Sequence, residues 1–132
     1  MARIVLIEDS PTDQAVFTQW LKKAGHEVLV ANNAEEGLKL VQEHAPQLVL
    51  MDVVLPGMSG FQATRALNRD QATRNIPVII VSTKNMETDR AWGIRQGASD
   101  YMVKPPREDE LVAKIDELIA KAELANANNA VP

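Results

Sequence analysis

The chain has 132 residues, 45% of them hydrophobic, a formal net charge of −4 and no cysteine. That length suits a single domain with its own core. The missing cysteines exclude disulfides and thiolate metal sites and fit a reducing compartment, and the acidic balance argues against a nonspecific nucleic-acid binder.

Met1-Ala2-Arg3 leads straight into a short strand, without a signal-peptide pattern. No apolar stretch reaches the roughly 20 residues of a membrane span. The expectation is a cytoplasmic protein without membrane insertion.

Arg3 to Ile7 (RIVLI) is a continuous apolar run, the mark of a strand covered on both faces. Glu8-Asp9-Ser10-Pro11 comes next, with Ser10 placed to cap a helix, Pro11 at its first position and Asp13 three residues on. Val16, Phe17, Trp20, Leu21 and Ala24 then fall at helical spacing, which makes Trp20 a core or core-edge residue; Gly25 stops the helix. Glu27 to Ala31 reads as strand two. Asn33, with Glu36 three later, starts helix two, and Pro46 ends it.

Strand three lies in Leu48-Val49-Leu50-Met51-Asp52-Val53-Val54-Leu55-Pro56. A carboxylate inside a buried run is costly unless something pairs with it. The strand is therefore expected to end at Asp52, so that the carboxylate emerges at its carboxyl edge. Phe61 to Arg69 reads as helix three and Val78 to Ser82 as strand four. Met86 to Gln96 is a weaker helix carrying Trp92 and Ile94, and Asp100 to Val103 is strand five, stopped by Lys104-Pro105-Pro106. A last helix spans about 107–124. The predicted division is a domain over 1–124 and a flexible tail over 125–132, with 126–132 small and polar.

Five strands alternating with five helices through short connections predict an α/β, doubly wound (βα)5 domain on a five-stranded parallel sheet. Ligands of such sheets bind beyond the carboxyl ends of the strands. Those ends hold Glu8 and Asp9, Asp52, Ser82 and Lys104. In the flavodoxin-like order 2-1-3-4-5 the switch point lies between strands one and three, which would bring Glu8, Asp9 and Asp52 together. Three adjacent carboxylates repel unless a proton or a cation intervenes, and an all-oxygen set suits a hard ion, foremost Mg²⁺. Lys104 and Ser82 suit a phosphoryl group. Each residue alone is ordinary, as a cap, a surface lysine or a turn hydroxyl; their joint placement at four strand ends is not.

Ile7-Glu8-Asp9-Ser10, the segment from Met51 to Gly60, Val81-Ser82-Thr83 and the segment from Gly97 to Pro105 resemble the response-regulator receiver domain of two-component systems. The resemblance covers about residues 2–122. It implies that Asp52 accepts a phosphoryl group from a histidine kinase, and that Mg²⁺, or Mn²⁺ in its place, is held by Asp9, Asp52, the Val54 backbone carbonyl and Glu8. Glu8 stands where many members have aspartate, and it would act largely through a metal-bound water. Lys104 would contact the phosphoryl group, Ser82 would hydrogen-bond to it, Tyr101 would be the switch aromatic that moves inward, and Lys104-Pro105 would be cis.

Phe61 to Arg65 and Thr88 to Gly97 are similar to stand-alone receivers of type IV pilus chemosensory systems, which act in twitching motility or related chemotaxis-like behaviour. The resemblance implies a monomer or weak dimer, no enzymatic activity beyond self-phosphorylation and autodephosphorylation, and output through a face of helix four, strand five and helix five. That output would be protein binding to a motility or pilus protein, or phosphate drainage from a sibling regulator. Trp92 either packs beneath helix four or marks that output face, and Lys84 is expected near the site entrance.

Two rivals stand. An aspartyl-nucleophile phosphatase would carry an acid two residues after Asp52, where this chain has Val54. A nucleotide or flavin binder would not place Glu8-Asp9-Ser10-Pro11, acidic and without glycine, at its first turn.

Overall fold

Strands and helices alternate strictly along the chain, and the computed structural model describes residues 1–129. The elements are β1 (Arg3–Ile7), α1 (Pro11–Lys23), β2 (Glu27–Ala31), α2 (Ala34–His44), β3 (Leu48–Met51), α3 (Gly60–Arg69), β4 (Val78–Ser82), α4 (Glu87–Gln96), β5 (Asp100–Val103) and α5 (Glu108–Asn129). All strands pair in parallel, in the order β2-β1-β3-β4-β5. This is the flavodoxin-like order, with its switch point between β1 and β3.

Because side chains alternate along a strand, each apolar run feeds two cores. Val5, Ile7, Val49, Met51, Val78 and Ile80 meet Ala34 and Val41 of α2 and Ala63 and Leu67 of α3 on one face. Ile4, Leu6, Leu48, Leu50, Ile79 and Val81 meet Phe17 and Leu21 of α1 and Leu111, Ile115 and Ile119 of α5 on the other. Trp20 is half-buried at the edge of that second core, edge-on to Phe17 with ring centroids 5.6 Å apart.

The caps act as the sequence predicts at two helices: Ser10 Oγ accepts from the Asp13 amide and Asn33 Oδ1 from the Glu36 amide. Helix three begins one residue earlier than expected, at Gly60, because Ser59 and Gln62 close a reciprocal capping box at 3.2 and 2.9 Å. Helix five also differs. It continues to Asn129 instead of ending near residue 124, since Ala125 and Ala127 favour helix and no breaker intervenes. Residues 125–129 of the expected tail are thus helical; 130–132 lie outside the described residues. No helix among the described residues is long and apolar enough to cross a membrane.

Candidate functional site

The sheet's hydrogen-bond ladder runs past the strand ends and carries the chemistry with it. Ile7 pairs with Met51 in the β1–β3 register, so Glu8 and Asp52 leave the sheet side by side. The Asp52 amide donates to the Ile7 carbonyl at 2.9 Å and the Glu8 amide to the Ala31 carbonyl at 3.0 Å. Across β4 and β5, the Lys104 amide donates to the Ser82 carbonyl at 2.9 Å. Carboxylate oxygens of Glu8, Asp9 and Asp52 consequently lie within 4.8 Å of one another.

Lys104 supplies the counter-charge. Its Nζ lies 2.6 Å from Glu8 Oε1, 2.8 Å from Asp13 Oδ2 and 3.4 Å from Asp52 Oδ2. The second oxygen of Glu8 accepts from the Ser10 amide at 3.0 Å, and Asp52 Oδ1 from the Val53 amide at 2.8 Å. Glu8 is 1% exposed and Asp52 8%, whereas Asp9 is exposed. Burial, foremost, pushes the Glu8 carboxyl above its ordinary range and the Asp52 charge adds to this, while hydrogen bonds from Lys104 and Ser10 oppose it. Burial disfavours the Lys104 charge, but the hydrogen bonds to Asp13 and Glu8 outweigh it and hold the ammonium above the usual lysine range.

Asp13 is the residue that sequence reasoning missed. Its amide serves the Ser10 cap, as expected, but its carboxylate turns back over the strand ends to Lys104. The available signal was one turn of helix between Ser10 and Asp13 directly above the acid pair.

The donor set fits a hard divalent cation. Three carboxylates converge, and Asp9 makes no hydrogen bond or ion pair among the described residues, which leaves its oxygens available. Val54 lies two residues beyond Asp52, with its side chain 58% exposed. The Gly60 amide donates to the Val53 carbonyl at 2.8 Å, and a β-carbon at Gly60 would overlap the Asp52 carbonyl, so only glycine lets α3 begin this close to the site.

Ser82 is fully buried at the end of β4 and its hydroxyl accepts from the Lys84 amide at 3.2 Å. The Lys84 carbonyl in turn accepts from the Tyr101 hydroxyl at 2.7 Å. Tyr101 is 2% exposed, packed against Gly93 of α4, where an added β-carbon would lie 3.0 Å from the ring. The aromatic expected to move inward is therefore already inside: Gly93 opens the space and the Lys84 carbonyl satisfies the hydroxyl. Lys84 contributes its backbone here, while its side chain is exposed. The Lys104-Pro105 bond is cis.

Trp92 occupies neither expected place. It is 47% exposed and lies on the side of α4 turned toward α3, because the helix turns Gly93 onto Ile80 and Tyr101 of the sheet instead. A groove of about 820 Å³ beside Trp20, Lys23, Arg107 and Asp116 contains none of the strand-end residues.

Comparison with known proteins agrees with this geometry. Residues 4–116 match the response regulator receiver domain. Protein PilH of Pseudomonas aeruginosa is 51% identical over 120 residues, covering 91% of this chain and 99% of PilH. The transcriptional regulatory protein AfsQ1 of Streptomyces coelicolor is 35% identical over 98% of this chain, which spans only 56% of that longer protein. Among solved structures, the receiver domain of the sensor histidine kinase PA1611 from Pseudomonas aeruginosa, described with magnesium coordinated in its active-site cleft, superposes with a TM-score of 0.84. It is 27% identical, over 90% of this chain and 98% of that one.

The doubly wound sheet carries an acid cluster and a lysine at its switch point, and the chain belongs to the response regulator receiver family. Within that family it is similar to PilH over almost the whole of both chains.

Proposed function

We propose that this protein is a response regulator that accepts a phosphoryl group on Asp52 from a histidine kinase and thereby changes its binding to partner proteins. The convergence of Glu8, Asp9 and Asp52 around one point, with Lys104 in contact with the first and last, carries this reading. An Asp52 oxygen attacks the phosphorus, the bond from phosphorus to the donor's imidazole nitrogen breaks, and the imidazole keeps the electron pair. A mixed anhydride results. Positioning and charge neutralisation dominate such transfers.

Lys104 neutralises one phosphoryl oxygen, at the expense of its contacts to Asp13 and Glu8. Mg²⁺, or Mn²⁺ in its place, held by Glu8, Asp9, Asp52 and the Val54 carbonyl, would supply further charge neutralisation. The likeness to the magnesium-bearing receiver of PA1611 supports that choice.

Ser82 reports the event. When its hydroxyl turns to the new phosphoryl oxygen, the bond to the Lys84 amide is disturbed, and Lys84 is the residue whose carbonyl holds Tyr101. This links Asp52 to the α4, β5 and α5 face, on which a downstream partner is proposed to dock. The likeness to PilH supports a pilus or twitching-motility setting, a cytoplasmic location and a role as transmitter or as phosphate sink for a sibling regulator. No turnover of other substrates is proposed. An aspartyl phosphatase is disfavoured by Val54, an exposed aliphatic residue where that chemistry needs an acid.

Incubation with acetyl phosphate and Mg²⁺ should add one acid-labile phosphate, and Asp52→Asn should take up none. Phosphate on the Asn variant, or none on the parent protein, would sink the proposal. Steady hydrolysis of a phosphate monoester would favour the phosphatase.

A further inference from the structure

Several cations of this acidic chain are matched by ion pairs among the described residues, and others are not. Arg3 pairs with Glu27, Arg90 with Asp100, Arg107 with Asp109 and Lys114 with Glu117. On the α4, β5 and α5 face in particular, Arg90 and Lys114 both reach Asp100. Arg65, Arg69 and Arg95 form no ion pair among the described residues, and all three line one groove of about 330 Å³ between α3 and α4. Asn68, Trp92 and Gln96 complete its lining, which contains no carboxylate. Gln96 is 8% exposed and forms part of the groove wall.

We propose that this groove docks an acidic segment of a partner protein, with two carboxylates spaced about one helical turn beside an apolar side chain. Arg65 and Arg69 stand four residues apart on α3, roughly 6 Å along its axis, and can each grip a carboxylate through their planar forks. Arg95 faces them from α4, and Trp92, one turn before Arg95, offers a half-exposed aromatic face to the apolar side chain. Three desolvatable guanidinium groups without counter-ions, gathered on a chain of net charge −4, favour an anionic occupant here rather than elsewhere on the surface. A single-stranded nucleic acid fits less well, because it needs successive aromatic platforms and one indole provides only one. The groove lining contains none of Glu8, Asp9, Asp52, Ser82 or Lys104.

The full chain carries two tryptophans, Trp20 and Trp92, and hence two indole N–H signals. A ¹⁵N-labelled sample is titrated with a blocked synthetic peptide bearing two glutamates four residues apart and a leucine between them. The Trp92 signal should move and the Trp20 signal stay. Arg65→Glu, Arg69→Glu or Arg95→Glu should each weaken binding at least about tenfold, as loss of a bidentate ion pair plus a repulsion requires. The lysine replacements at these positions should weaken it less, and Arg74→Glu, an exposed arginine outside the groove, should leave it unchanged. The proposal is overturned if Trp92 does not respond or if the glutamine version of the peptide binds equally. It is also overturned if oligothymidylate moves the same signal at lower concentration, or if concentrating the protein alone reproduces the shift and thereby identifies a second copy as the occupant.

Discussion

Lys104→Met tests the electrostatics of the site most directly, because it keeps the aliphatic stem and deletes only the charge. Three contacts vanish, at 2.6, 2.8 and 3.4 Å, leaving Glu8 and Asp52 buried with no ammonium between them. Removing one partner of a buried ion pair costs about 3–5 kcal/mol. The lower end, about 3 kcal/mol, is expected because Asp13 is 34% exposed and Glu8 can take up a proton in the folded state. For a domain of this size that corresponds to a fall of about 10 °C in melting temperature.

The pH dependence has a definite sign. A carboxyl whose folded pKa exceeds its unfolded value stabilises at low pH, and that contribution is lost as pH rises through the folded pKa. Glu8 is such a group, and Lys104 is what draws it down; in the variant it rises further. Lys104 itself is held above the lysine range, so it stays charged between about pH 5 and 8.5 and contributes no slope there. The deficit of Lys104→Met should therefore be largest at about pH 7.5 to 8.5 and shrink toward pH 5. Melts followed by circular dichroism in the presence of a chelator measure it. MgCl₂ in place of the chelator should recover part of the loss, by binding the folded state alone. A melting temperature within about 2 °C of the parent at pH 7.5, or a deficit that widens toward acid, would refute the reasoning.

Asp13→Asn should free Lys104 for the phosphoryl group and speed acyl-phosphate formation from acetyl phosphate by roughly threefold, or ~0.7 kcal/mol of barrier; an unchanged or slower rate would show that Asp13 does not compete. Ser82→Ala should still incorporate phosphate while losing the difference in partner capture between apo protein and protein carrying a phosphoryl mimic. Ser59→Ala opens the capping box of α3 and should cost about 1 kcal/mol in urea unfolding. Gly60→Ala, whose methyl would overlap the Asp52 carbonyl, should cost about 3 kcal/mol or more and displace the site, visible as lost phosphate uptake in whatever fraction folds.

The elements of this fold are local facts and could be read locally. Continuous apolar runs such as Arg3–Ile7 and Val78–Ser82 announce buried parallel strands, and Ser10 and Asn33 announce helix starts, because capping and alternation involve residues only a few positions apart. Glu8, Asp9, Asp52, Ser82 and Lys104 were legible for a related reason: each sits at a strand's carboxyl end, and the doubly wound order brings those ends to one crevice. The directions of individual side chains were not legible in this way. Asp13 reaching Lys104, Tyr101 already inward over Gly93, and Trp92 turned to α3 each depend on the rotation of a helix about its axis against the sheet. In α4, Gly93 and Gln96 took the buried side instead of the large apolar Trp92 and Ile94, since Tyr101 had already filled the space a bulky side chain at position 93 would need. Composition and order thus determined the sheet, its crevice and the acids within it. Packing between helices decided which lysine contacts are made, where Tyr101 rests, and that three arginines share one groove.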